Sequence, residues 1–204
     1  MTKTESIAVF LDRDGTIIKE VGYLCCLEDM QLLPDVAGAI RMLNEKGIKA
    51  VVVSNQSGVA RGIVSEDTIL MIHDELQKAL QRAGAFLDGI YFCPHHPEYG
   101  SQRYRKDCFC RKPNPGMLEQ AAHDMNIDLG RSYLIGDTLR DMETAGNAGV
   151  TGVMVLTGYG KEEERKIQAE NTKRTPRFIA SDLLAAIRWV TETIEKGNNE
   201  NTHR

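Results

Sequence analysis

The sequence predicts an α/β fold: a doubly wound, mainly parallel sheet with helices on both faces. Three observations predict it. Six short apolar runs recur along the chain, IAVFL at 7–11, IKAVVVS at 48–54, GIYFC at 89–93, SYLIG at 132–136, GVMVL at 152–156 and RFIAS at 177–181. They lack the polar alternation of a half-solvated sheet, so they read as strands covered on both faces. Helical segments lie between them, and alternation of this kind implies βαβ units. The chain has 204 residues, a length that suits one domain with a real core.

The elements between the strands follow from local chemistry. DVAGAIRMLNEKG, 35–47, places Val36, Ile40 and Leu43 on one helical face and stops at Gly47. SEDTILMIHDELQKALQRAG, 65–84, starts with Ser65 as N-cap and sets Glu66 and Asp67 against the positive helix end. NPGMLEQAAHDMNI, 114–127, offers Asn114 as cap and Pro115 as first helical residue. TLRDMETAGNAG and LLAAIRWVTETIEKG supply two more helices. Residues 1–196 form the single expected domain, and KGNNENTHR lacks apolar residues, so 197–204 is expected to be a flexible tail. The interval Pro94–Asn114 has neither helical nor strand periodicity, and a structureless loop of about 20 residues inside a compact domain needs something to order it.

Composition narrows the function. Hydrophobic residues make up 42% and charged residues 26%, and the net charge is -4. These are values of a soluble globular protein, and the acidic balance argues against nucleic-acid or anionic-membrane binding. MTKTESIAVF has no signal-peptide core, and no segment approaches the roughly 18 apolar residues of a membrane span, so a cytoplasmic protein is expected. Five cysteines, an odd number, point to metal binding or packing rather than disulfides. With no heptad or apolar stripe, a monomer is the default.

The strand ends carry the chemistry. IAVFLDRDGT ends a buried strand on Asp12 and Asp14, at the sheet edge where open α/β folds bind ligands. Two acids so close repel unless a cation or donors are near, and a metal ion is the simplest remedy. At the same edge Ser54, Asn55 and Gln56 open a glycine-bearing loop able to cradle phosphate oxygens. Asp137 ends the fourth run, Asp141 follows one helical turn later, and Lys112 stands before a proline that keeps its backbone extended. In the unexplained interval, Cys93, His95, Cys108 and Cys110 read C-x-H, then a 12-residue spacer, then C-x-C. Four such donors fit a closed, tetrahedral, structural zinc site, with His96 able to replace His95. Cys25 and Cys26 have no comparable partners and read as small packing residues.

Together FLDRDGT, VVVSN, RKP and LIGDTLRD resemble the haloacid dehalogenase superfamily of phosphohydrolases from residue 7 to about 160. The resemblance implies that Asp12 is a nucleophile forming an aspartyl-phosphate and that Asp14 is the general acid and base. Asp12, the Asp14 carbonyl and Asp137 would hold Mg2+, Ser54 and Lys112 would bind phosphoryl oxygens, and Asp141 would orient Lys112 or the metal's waters. NQSGVARG, CPHHP and CFCRKPNPGM are similar to the cap-less, zinc-loop branch, whose members hydrolyse histidinol phosphate or the 7-phosphate of a heptose 1,7-bisphosphate. That branch's histidinol enzymes tend to carry an acid where this chain has Ser57, whereas Arg61 and Arg111 could meet a second phosphate, so charge favours a small bisphosphorylated sugar. Ser54 stands where the heptose enzymes usually have Thr, and it keeps the hydroxyl. A rival of another class, a non-catalytic phosphoacceptor module, also combines strand-end acids with a lysine but lacks a second acid like Asp14. A nucleic-acid end phosphatase shares the chemistry and is opposed by the acidic balance.

Overall fold

In a computed structural model that describes residues 5–170 and 175–202, six strands form one parallel sheet. They are β1 (Ala8–Leu11), β2 (Lys49–Asn55), β3 (Gly89–Cys93), β4 (Tyr133–Gly136), β5 (Thr151–Val155) and β6 (Phe178–Ala180). Each falls on one of the six apolar runs. The helices are α1 (Val36–Glu45), α2 (Glu66–Arg82), α3 (Gly116–Met125), α4 (Leu139–Ala148), α5 (Gly160–Glu170) and α6 (Leu183–Thr202).

The burial of both sheet faces is visible residue by residue. Val9, Leu11, Val52 and Ile135 pack toward α1, α2 and α6, while their neighbours Ala8, Phe10, Val51 and Leu134 pack on the opposite side with Met117, Leu118 and Ala121 of α3 and Ala145 of α4. This is the period-2 alternation of a strand with apolar groups on both sides.

The strand order is β3-β2-β1-β4-β5-β6. The chain winds outward from β1 in one direction and then from β4 in the other. The crevice at the carboxyl ends of β1 and β4 is therefore the topological switch point, where such sheets bind ligands.

Three details depart from the sequence reading. Pro115 is the N-cap of α3, and Asn114 instead donates from Nδ2 to the Cys108 carbonyl at 3.2 Å. Helix α5 has no apolar stripe that would announce it, and its partners are polar. Lys166 pairs with Glu162 and Glu163 at 3.1 and 2.7 Å, and Glu163 accepts from the Leu139 N–H at 3.1 Å. Backbone helix in α6 runs on to Thr202, past the expected boundary at 196, since an established helix adds one hydrogen bond per residue and no proline interrupts it. Residues 203 and 204 of the expected tail lie outside the described residues.

The 94–114 interval carries short turns and an isolated bridge between His96 and Arg105. It is tied to the start of α2, where the Glu66 carboxylate accepts from Tyr104 Oη at 2.6 Å and Arg103 Nη2 at 3.0 Å.

Candidate active site

A cleft of about 310 Å³ opens at the switch point, lined among others by Asp12, Asp14, Ser54, Lys112 and Asp137. The carboxyl end of β1 delivers Asp12, that of β4 delivers Asp137, and the first turn of α4 delivers Asp141. One oxygen from each lies within 4.8 Å of the others. Two of the three acids share one buried ammonium: Lys112 Nζ stands 2.8 Å from Asp12 Oδ1 and 2.6 Å from Asp141 Oδ1.

Charge does not balance in this group. Burial, opposed by Lys112, pushes Asp12 up to about 7. Burial and then the charge of Asp12 push Asp137 up to about 8, although the Tyr159 N–H donates to its Oδ2 at 2.8 Å. Burial would lower Lys112, yet Asp12 and Asp141 hold it above its usual value. Excess buried negative charge on oxygen donors is the setting that a hard divalent cation relieves. Space is tight around it: a Cβ on Gly15 would stand 2.2 Å from Asp137 Oδ2, and one on Gly158 would stand 2.1 Å from it.

Local backbone devices hold the parts in place. Asn55 grips Lys112 by two hydrogen bonds, Nδ2 to the Lys112 carbonyl and the Lys112 N–H to Oδ1, both 3.0 Å. Asp141 accepts from the Thr138 N–H and hydroxyl, a capping box that fixes the start of α4. Gln56 donates from Nε2 to Asp14 Oδ2 at 2.8 Å and to Ser54 Oγ at 2.7 Å. It thereby joins the end of β2 to the loop after β1.

The Asp14 side chain is not part of the three-acid group; its carboxylate is held by Arg13 and Gln56. Arg61 and Arg111 do not line the cleft itself. Arg61 lies over the Tyr99 ring, 3.8 Å from its centroid, and Arg111 donates to the His95 carbonyl at 3.0 Å. Burial lowers the Arg111 pKa, and the nearby charges of Arg140 and Arg61 act in the same direction. The three arginines thus lie close enough for their charges to act on one another, and Arg140 lines the cleft.

Sequence reasoning missed Arg140, Glu20, Tyr23 and Tyr159, all cleft-lining. Arg140 sits inside the quoted LIGDTLRD stretch, so its spacing from Asp137 was the available signal. The other three lie on loops with no pattern of their own.

The second cluster lies at the carboxyl end of β3, which delivers Cys93. Donor atoms of Cys93, His95, Cys108 and Cys110 all fall within 4.8 Å of one another. His95 Nδ1 is 3.5 Å from both Cys93 Sγ and Cys110 Sγ. His96 points elsewhere, with Nδ1 accepting from the Glu98 N–H at 3.1 Å. Three sulfurs and one imidazole nitrogen form a closed set of the type that zinc favours.

Comparison with known proteins agrees with this architecture. The family model described as HAD-hyrolase-like matches residues 109–186. The chain is 46% identical to D-glycero-D-manno-heptose-1,7-bisphosphate 7-phosphatase of Thermosynechococcus vestitus, over 90% of this chain and 94% of that protein. It is 43% identical to D-glycero-beta-D-manno-heptose-1,7-bisphosphate 7-phosphatase of Escherichia coli K12, over 89% and 93%. Among solved structures, the D,D-heptose 1,7-bisphosphate phosphatase of B. bronchiseptica, complexed with magnesium and phosphate, superposes with a TM-score of 0.80 at 31% identity, covering 92% of this chain and 99% of that one. The chain belongs to the heptose-1,7-bisphosphate 7-phosphatase family of haloacid dehalogenase-like hydrolases.

Proposed function

We propose that this chain is a magnesium-dependent phosphatase that removes the 7-phosphate of D-glycero-D-manno-heptose 1,7-bisphosphate and leaves the anomeric phosphate in place. The observation that carries the reading is the pairing of Asp12, in contact with Lys112 and grouped with Asp137 and Asp141, with a second acid two residues on, held by separate donors. A phosphoacceptor alone needs the first arrangement. Turnover needs Asp14.

In the first step an Asp12 carboxylate oxygen attacks phosphorus. The bond from phosphorus to the sugar oxygen breaks, and the departing oxygen takes a proton from Asp14. In the second step Asp14 takes a proton from water as that water attacks phosphorus. The phosphorus–Asp12 bond then breaks, giving inorganic phosphate and the free carboxylate. Lys112 and Ser54 bind phosphoryl oxygens, which places positive charge and a donor where transition-state charge develops. Asp12, the Asp14 carbonyl and Asp137 would hold magnesium, which when bound offsets the carboxylate charge and that of the substrate. Asp141 orients Lys112. Zinc held by Cys93, His95, Cys108 and Cys110 would be structural, because four protein ligands leave no open position.

The gathering of Arg61, Arg111 and Arg140 supports a substrate with a second phosphate, and the absence of an acid at Ser57 disfavours a cationic amine. The substrate in the relatives' names agrees with that charge pattern. All five cysteines are free and no described helix is long and apolar enough to cross a membrane, which supports a cytoplasmic site of action.

The test is magnesium-dependent phosphate release from α- and β-heptose 1,7-bisphosphate beside histidinol phosphate, with Asp12→Asn as the blank. Preference for one heptose anomer is expected. Preference for histidinol phosphate would overturn the substrate assignment, and a stable aspartyl-phosphate without multiple turnover would overturn the reaction.

A further inference from the structure

Arg13 separates the two acids of the FLDRDGT stretch, and such a position ordinarily puts a guanidinium in solvent. Here it is 1% exposed. It turns inward and spans two partners. On one side Nη2 donates to Asp14 Oδ1 at 3.0 Å and Nε donates to Oδ2 at 3.2 Å, a two-pronged grip on the carboxylate. On the other, Nη1 stands 3.1 Å from His73 Nε2.

That last contact fixes the state of the histidine. A guanidinium has five N–H donors and no acceptor, so His73 Nε2 must present its lone pair and the ring must be neutral. His73 is 5% exposed on the inner face of α2, with Phe92 packed edge-on at 5.2 Å. Burial, and then the charge of Arg13, push its pKa down to about 3. The imidazole therefore accepts from Arg13 throughout the neutral pH range.

We propose that His73 is a positioning residue: by accepting from Arg13 Nη1 it aims the guanidinium that holds Asp14 for its two proton transfers. The inference rests on the reading of Asp14 as general acid and base. Gln56 anchors the same carboxylate from the loop after β2, but only the Arg13 fork defines the plane of the carboxylate, because two N–H vectors are needed to fix it. Without the acceptor on α2, Nη1 is left buried and unpaired, and the guanidinium must shift to satisfy it.

The test uses two substrates that differ in their need for a proton at the leaving oxygen. A sugar alkoxide needs one, and p-nitrophenolate leaves without it. kcat/KM covers the steps through phosphoryl transfer and therefore senses the difference. General acid catalysis is worth about 100-fold or more, so partial misplacement in His73→Leu is expected to lower kcat/KM about 10-fold or more for heptose bisphosphate and under about 3-fold for p-nitrophenyl phosphate. His73→Gln, which restores an acceptor oxygen, is expected to recover most of the loss. Equal losses on both substrates, or a glutamine variant as poor as the leucine one, would overturn the proposal. If His73→Leu does not fold, Arg13→Lys carries the same test, since lysine keeps the charge but lacks the fork, and a uniform loss there has the same negative meaning. Asp14→Asn separates the two levels: selective loss in it without selective loss at His73 refutes the positioning role alone. Uniform loss in Asp14→Asn removes the acid–base reading beneath it.

Discussion

The Lys112 ammonium lies 2.8 Å from Asp12 Oδ1, and both side chains are largely removed from water, at 3% and 13% exposure. The same ammonium also meets Asp141 at 2.6 Å, so one cation serves two members of a group of three acids. Removing it leaves their charge uncompensated, and breaking a buried pair from one side costs about 3–5 kcal/mol. Lys112→Met is expected to lower the denaturant midpoint of the metal-free protein strongly and to recover part of the loss when magnesium is added. An unchanged midpoint without metal would contradict the central place given to this pair.

The Cys93, His95, Cys108 and Cys110 cluster bears on the same lysine through the chain. Cys110 and Lys112 are two residues apart, and Asn114 ties back to the Cys108 carbonyl. Cys108→Ser is expected to lose bound zinc, to expose 94–112 to proteolysis and to reduce kcat by moving Arg111 and Lys112. Metal content by mass spectrometry and a limited digest check this together. Full zinc occupancy in the variant would refute the ligand set.

The strands were readable because each holds a run of three or more apolar residues, and the strand-end acids because they follow such a strand directly. The four residues of the Cys/His cluster stood out against an interval with no periodicity. What could not be read is tertiary in origin. Arg13 reads as a surface residue until His73, sixty residues away, is brought to it. Helix α5 has a polar face all round and is held by ion pairs and a tie to α4. The placement of Arg61 depends on the Tyr99 ring beneath it, a contact between two loops that no local pattern encodes.

Gly15 and Gly158 stand side by side against Asp137 Oδ2, each with φ in the left-handed region, +78° and +53°. Alanine at 158 would place a methyl 2.1 Å from Asp137 Oδ2, a distance that forces the carboxylate to move. Gly158→Ala is expected to weaken magnesium activation at least tenfold in half-saturating concentration, because an octahedral site near 2.1 Å tolerates little ligand displacement. Activation at wild-type magnesium levels would show that Asp137 is not a ligand.

The pH dependence of stability separates the buried acids from the buried histidine. A carboxyl whose folded pKa is raised binds more protons folded than unfolded, so its stabilisation is lost as pH rises through the folded value. For Asp12 and Asp137 this window closes at about 7 and about 8. His73 acts in the opposite direction, its folded value of about 3 lying below the unfolded 6.5, so that stability is lost as pH falls below 6.5. Between pH 6.5 and 8 the two acids are thus left to set the slope. Metal-free protein is expected to lose stability across that interval, by up to about 1.4 kcal/mol per pH unit for each proton released. Magnesium needs both groups as carboxylates, so its presence should flatten or reverse the trend, and its binding at pH 7 should release protons. Urea midpoints at pH 6.5 and 8, with and without magnesium, and calorimetric binding heats in two buffers of different ionisation enthalpy measure both effects. Asp137→Asn should remove most of the metal-free slope. A metal-free protein that gains stability toward pH 8 would mean that neither acid carries the buried charge assigned to it.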